Sequence, residues 1–344
     1  MRHLVQPRRR VLFVIEPLDG QILHALQLSP RVPFRRIADL VGVPEQTVAR
    51  RYRKMRRDGA VRVIGVVNPR VHGECQWIVR VHARPDDLPR LAEALVRRPE
   101  VTHANVMSGW TELVCVVRAP LGETNDGLLQ RLPRTSAVLG MKVDLILHVF
   151  GGSSGTQWTG YGHNLSAEQA TALLEATAGA ESPRAPAPPA DDDQPILDAL
   201  ASDGRTPHAR LAELTGWSPA RVKRRLAALE ASATLTYDLE LLPELLLGFH
   251  VNAMVWLRTP PRHLVRVAGQ IAAHDEVASV VAVSGHNNLM AVVICRDVEH
   301  LYRYLAERLA VIDDVHSYDV GIRTKRLKQA ASLVSHGRLI QGRR

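Results

Sequence analysis

The stretch at residues 19–60, DGQILHALQLSPRVPFRRIADLVGVPEQTVARRYRKMRRDGA, returns at residues 193–234 as DQPILDALASDGRTPHARLAELTGWSPARVKRRLAALEASAT. The offset is a constant 174, and 14 of the 42 positions are identical without a gap. The identities fall on apolar positions such as Ile22/Ile196, Leu23/Leu197, Leu26/Leu200 and Leu40/Leu214, and on Arg31/Arg205, Pro33/Pro207, Arg50/Arg224 and Arg51/Arg225. Further along the offset drifts by a residue or two: Gly73 answers Gly248, and Ser108-Gly109 answers Ser284-Gly285. Self-similarity at one period over such a length is a duplication.

Each copy opens with three helical segments, in the first copy 18–28, 33–41 and 44–57. Two helices packed at a steep angle need a small residue in the first, Gly in the break, and an apolar residue facing inward from the second. Ala38, Gly42 and Val48 supply these, and Ala212, Gly216 and Val222 repeat them. The pattern is a helix-turn-helix, with motifs near 34–53 and 208–227. After it, each copy alternates strand, helix, strand, strand, helix, strand. The first series is 76–83, 88–97, 101–108, 112–118, 124–132 and 142–149; the second is 250–258, 263–274, 277–284, 289–295, 298–309 and 316–323. The apolar runs within it, such as Leu113 to Val117 and Ala291 to Cys295, fit an α+β ferredoxin-like βαββαβ unit. Such a sheet carries its helices on one face, and the other must be covered by another sheet. The expected domains are therefore a helix-turn-helix at 1–73, a ferredoxin-like unit at 74–150, a linker at 151–192, a second helix-turn-helix at 193–248, a second ferredoxin-like unit at 249–330, and a basic tail at 331–344. The linker is rich in Gly, Pro and Ala, with a short helix at 165–176 that Ser166 can cap.

Charge sharpens the reading. The chain carries a net +9, but residues 1–150 alone hold 24 Lys and Arg against 14 Asp and Glu. Six of the eight residues from Arg50 to Arg57 are basic. A basic second helix suits a polyanion: Gln46, Thr47 and Arg50 stand where a major-groove helix meets base edges. Arg35, Arg36, Arg51, Arg53 and Lys54 suit phosphates. The second copy keeps Arg210, Arg221, Lys223, Arg224 and Arg225 but opposes them with acids, so weaker DNA binding is expected there. Three scattered cysteines, Cys75, Cys115 and Cys295, indicate a reducing cytoplasmic setting without disulfides or structural zinc. No metal or cofactor is expected, and no apolar run is long enough to span a membrane.

The motifs carry a resemblance. Leu18-Asp19, Ile22-Leu23, Leu26, Ile37-Ala38, Gly42-Val43, Val48, Arg51, Gly59, Asn68-Pro69 and Gly73 resemble the DNA-binding half of the Lrp/AsnC (feast/famine) regulators. The α+β unit resembles that family's ligand-sensing domain. The resemblance implies a DNA-binding transcription regulator with a small effector such as an amino acid. It places the effector at the turn between the second and third strands. Those turns here are Ser108-Gly109-Trp110-Thr111-Glu112 and Ser284-Gly285-His286-Asn287-Asn288, where Glu112 replaces the family's Asp and Asn288 is not acidic. It also implies that two sheets pair, so that one chain forms its own pseudo-dimer, with higher assembly open. Two alternatives stand beside it. The sirohaem decarboxylases resemble the same family, and His103 and His286 are the candidate histidines for such an enzyme. An interaction protein whose helix-turn-helix motifs only dimerise is the other.

Overall fold

The structure, a computed structural model, describes residues 15–122, 127–151, 158–177, 186–330 and 332–341. The first copy runs α1 (Pro17–Leu28), α2 (Phe34–Val41), α3 (Glu45–Arg57) and β1 (Val61–Val67). It continues with β2 (Glu74–Ala83), α4 (Leu88–Val96), β3 (Val101–Met107), β4 (Glu112–Pro120), α5 (Leu128–Arg131) and β5 (Val138–Phe150). A linker helix, α6 (Ala167–Thr177), follows. The second copy runs α7 (Gln194–Ser202), α8 (His208–Thr215), α9 (Pro219–Ala231), β6 (Leu235–Leu241) and the single turn α10 (Pro243–Leu246). Then come β7 (Val251–Arg258), α11 (Leu264–Ala272), β8 (Val277–Val283), β9 (Leu289–Cys295), α12 (Val298–Arg303), β10 (Ser317–Gln329), β11 (Ser332–Ser335) and β12 (Arg338–Gln341). The expected helix at 124–132 falls partly outside the described residues; inside them it is only α5.

The helix-turn-helix geometry follows from the residues that announced it. Gly42 and Gly216 end α2 and α8 in the left-handed region, at φ 71° and 70°, where a Cβ is strained. Val48, Tyr52 and Met55 form the buried stripe of α3, and Val222, Leu226 and Leu229 that of α9. The two heads are joined. Strands β1 and β6 pair antiparallel about Ile64 and Asp238. Arg31 donates to the carbonyls of Gly204 and Thr206, while its repeat partner Arg205 donates to those of Pro30 and Val32. The Arg205 guanidinium also lies 4.3 Å from the centre of the Phe34 ring.

Each ferredoxin-like sheet keeps its own order, β3-β4-β2-β5 and β10-β7-β9-β8, with helices on the outer face. The inner faces meet as expected and bury Ile78, Met107 and Val114 against Met254, Trp256, Val281, Val283 and Met290. The closure goes further than face pairing. Over 317–322 β10 pairs with β7, and from Arg323 it passes to β3 of the other copy. Likewise β5 pairs with β2 as far as Leu145 and with β8 from Ile146. The eight strands β10-β3-β4-β2-β5-β8-β9-β7 thus close into a ring, which removes the open edges that invite aggregation.

Two expectations at the domain boundaries are corrected. The segment after 330 is not a basic tail: β11 and β12 form a hairpin on the end of β10. The amide of Leu339 donates to Gly59 at 2.7 Å, and Gly59 holds φ 72° where a Cβ would stand 2.7 Å from that of Arg338. The linker is not a mere spacer either. Its Trp158, Tyr161, Leu165 and Leu173 are buried in the first head's core, and Gln27 bonds both the Trp158 carbonyl and the Tyr161 hydroxyl. Ser166 does cap α6: its Oγ accepts from the Gln169 amide, and the Gln169 side chain accepts from the Ser166 amide in return.

Candidate functional site

The basic outer faces of α3 and α9 differ more than their sequences suggest. On α2 and α3, Arg35, Arg36, Gln46, Arg50, Arg53 and Lys54 are exposed. None of those cations takes part in an ion pair among the described residues. Thr47 is half-buried beside them. Arg51, expected on a phosphate, turns inward and pairs with Glu16 at 2.5 Å and Asp19 at 3.3 Å. These acids sit at the start of α1, so Arg51 ties α3 to it. Arg225 repeats the arrangement, pairing with the wholly buried Asp193. Arg221 pairs with Asp192 and stacks on Trp217, and Arg210 pairs with Glu213. In the second copy only Lys223 and Arg224 of the five expected cations stand outside ion pairs among the described residues. Arg51, Arg210, Arg221 and Arg225, expected on DNA, thus each stand beside a carboxylate that a phosphate would have to exchange, at little cost for the exposed pairs of Arg210 and Arg221.

The two expected effector turns lie on the seams of the ring. The amide of Ser108 donates to Ile322 and that of Ser284 to Leu145, each a residue of the other copy's last strand. In the first turn Ser108, Gly109 and Trp110 all have positive φ, at 41°, 77° and 70°. Trp110 and Thr111 are exposed, and Lys325 lies over the Trp110 ring. Glu112 is buried and holds Arg80 at 2.6 Å, and Arg80 stacks 4.0 Å from the centre of the Trp256 ring. In the second turn the Asn288 side chain bonds the Thr259 backbone in both directions, and Gly285 lies against the Asp144 carboxylate. His286 is exposed, 3.3 Å from Arg258. Glu112 and Asn288 are therefore partnered within the protein, and the turn residues 108–112 and 284–288 do not line the cavities below, although Lys325 beside Trp110 lines the second.

Within the ring lies a partly open cavity of about 140 Å³. Its walls are largely apolar (Val114, Val116, Ile146, Val149, Met254, Val281, Met290, Val292); β3 and β10 bring His103, Asn105, Arg323 and Arg326 to one side, and β2, β7 and β8 add Gln76, Asn252 and Ser279. Arg323 and Arg326 share Glu244 of α10 at 2.5 and 3.1 Å. Burial would raise that carboxyl, but Arg326 and Arg323 outweigh it and hold Glu244 down at about 2. Lys328 sends its ammonium away, to the carbonyls of Val96 and Arg98 at the end of α4. A second cavity of about 450 Å³ shares Asn252, Arg323 and Arg326 with the first, and a third of about 380 Å³ shares Gln76 and His103. Sequence reading noted His103 but missed the arginines, because it ended the last strand at Arg323.

His103 is pushed down to about 4, first by burial and then by Arg326, Lys328 and Arg323, so it is neutral at pH 7. Its folded value lies below the ordinary 6.5, so the unfolded chain binds the extra proton between pH 6.5 and 4. Stability from this residue is complete above pH 6.5 and is lost as pH falls towards 4. Thermal melts should show the wild type losing a few degrees more than His103→Gln over that window. Parallel pH profiles would contradict it.

With the geometry in place, kinship is plain. The AsnC-type helix-turn-helix model matches residues 16–56 and 191–230, and the Lrp/AsnC ligand binding domain model matches 252–333. The HTH-type transcriptional regulator LrpA of Pyrococcus abyssi is 31% identical over 137 residues, covering 40% of this chain and 96% of that protein. The regulatory protein AsnC of Escherichia coli K12 is 25% identical over 127 residues, covering 36% of this chain and 83% of its own length. The chain belongs to the Lrp/AsnC family. Among solved structures, the siroheme decarboxylase NirDL aligns over 92% of this chain and 93% of its own, with a TM-score of 0.61 and 17% identity. That likeness spans both copies and concerns the fold.

Proposed function

We propose that this chain is a transcription regulator that binds double-stranded DNA through α3 of its first copy, as a single-chain pseudo-dimer whose second head contributes less. One observation carries the reading: of the cations expected on DNA, α2 and α3 present Arg35, Arg36, Arg50, Arg53 and Lys54 exposed and outside ion pairs among the described residues, whereas α8 and α9 present only Lys223 and Arg224 so. The kinship with LrpA and AsnC supports the class of activity. A small effector belongs to the same reading, and the seam turns at Gly109 and Gly285 are where the family resemblance puts it. The test is a titration of labelled genomic fragments with the full chain at low and moderate salt. Saturable, salt-sensitive binding supports the reading, and its absence at low salt refutes it.

A second reading, an enzyme resembling the sirohaem decarboxylases, is favoured by one specific feature. A neutral histidine, His103, stands beside two buried arginines at a partly open cavity, which is the equipment for holding an anionic substrate and moving a proton. A space of about 140 Å³ is far too small for a tetrapyrrole, which would have to extend into the neighbouring cavities that share its lining. Absorbance spectra of the protein mixed with sirohaem distinguish the two readings. An unchanged spectrum is expected for a regulator, and a shifted band with loss of carboxylate is expected for the enzyme.

A further inference from the structure

The ring is built from two copies, yet its inside is not symmetric. The turns at Ser108 and Ser284 align the strands, so that His103, Asn105 and Met107 answer Ser279, Val281 and Val283. Arg323 stands opposite Met107 and Arg326 opposite Asn105; in the other half Ile146 stands opposite Val283 and Val149 opposite Val281. The arginines of one half therefore take the places of Ile146 and Val149 in the other. One half of the lumen carries two arginines, and its mate carries Ile146 and Val149 in their places, with Ser279 answering His103.

The polar half is also incomplete. Arg323 and Arg326 are only 8% and 10% exposed and share a single carboxylate among the described residues, so two buried positive charges face one negative one, and Arg326 also donates to the Leu241 carbonyl and the Gln329 side chain. Among the described residues Arg326 Nε, Asn105 Oδ1 and Asn252 Nδ2 are buried without a hydrogen-bond partner, and both asparagines line the cavity at 5% and 3% exposure. Buried polar groups in native proteins are rarely left so, because an unmet donor or charge is costly. Guanidinium forks match carboxylates in particular, as Glu244 demonstrates by accepting from both. Most of the remaining wall is apolar, with Gln76 and Ser279 the polar exceptions on β2 and β8, and a space of about 140 Å³ is of the size that accepts a benzene ring.

We propose that the lumen binds one carboxylate-bearing small molecule per chain, with its carboxylate between Arg323, Arg326 and Asn252 and a benzene-sized apolar body against Val281, Met254 and Met290. The carboxylate end faces the larger polar cavity that shares Arg323, Arg326 and Asn252, which gives it a route from solvent. Asn105 accepts from any hydroxyl or N–H the ligand carries. The inference rests on the effector part of the reading above and moves the effector from the seam turns to the lumen. Because it is measured on protein without DNA, its failure and a failure of DNA binding are separate results.

Calorimetry and thermal melts on the full chain with phenylacetate and with benzylamine test it. The two probes share a ring and differ in the sign of their charge. Phenylacetate should bind once per chain and raise Tm, and benzylamine should do neither. Arg326→Met should weaken phenylacetate at least about tenfold. If that variant does not fold, Arg326→Lys, which keeps the charge but loses the fork, should weaken it by a smaller factor. Equal response to both probes, two phenylacetates per chain, no saturable phenylacetate binding, or unchanged affinity in the Arg326 variants would each overturn the proposal.

Discussion

Replacing Arg50 and Lys54 together by Ala should lower the affinity of the full chain for duplex DNA by about 10- to 100-fold, and should reduce the slope of log K against log salt by about two. Both side chains are exposed on the outer face of α3 and outside ion pairs among the described residues. Nothing in the fold therefore has to break when they meet phosphate. The matching change in the second head, Lys223 and Arg224 to Ala, should cost less than about threefold, because that head presents fewer uncommitted cations. Arg51→Ala should behave differently from both. It removes the link from α3 to Glu16 and Asp19, so it should lower Tm by a few degrees with a small effect on the salt slope. Anisotropy titrations across a salt series, run beside thermal melts, check all three. Equal losses from the two double variants would contradict the asymmetry.

Expressing the first copy alone should give a self-associating or aggregating protein. Residues 1–177 are the proper fragment, because Trp158, Tyr161 and Leu173 complete the core of the first head. Cutting there leaves β5 without β8 and β3 without β10, two unpaired edges at once. It also bares Ile78, Met107, Val114 and Ile146, which otherwise pack on the second sheet. The head loses β6 from β1 and Arg205 from Phe34. A second fragment can supply most of these contacts by symmetry, so a homodimer is the expected soluble form. Light scattering or sedimentation that finds a stable monomer would show that the copies do not need each other.

Much of this was legible because the chain states it twice. Gly42 and Gly216 mark a left-handed break that few residues other than Gly adopt readily, and their recurrence at one offset gave the helix-turn-helix. Ser166, ahead of a helical period, marked the cap of α6. The roles of Arg51 and Arg225 were also within reach, since Asp19/Asp193 recur with them at the same offset, 32 residues away in each copy. Basic residues on a reading helix suggest DNA so strongly that the buried partner was overlooked. The lumen was hidden for a different reason. Strand β10 carries register shifts between Arg323 and Lys325 and between Arg326 and Lys328. Each bulge resets which face a side chain points to, so the period-two alternation that announces a strand is broken where the arginines enter the ring. The exchange of each last strand between copies is likewise a matter of long-range pairing, which local pattern does not encode.

The central claim is that this chain reads DNA mainly with one of two unequal heads. Selection of bound sequences from a random duplex library with the full chain tests it most directly. The account predicts an enriched site with one strong half-site and a weak or degenerate partner about one helical turn away. It also predicts that Arg50→Ala erases the strong half-site while Arg224→Ala leaves it. A library that returns no enriched sequence, or a symmetric palindrome to which both heads contribute equally, would contradict it.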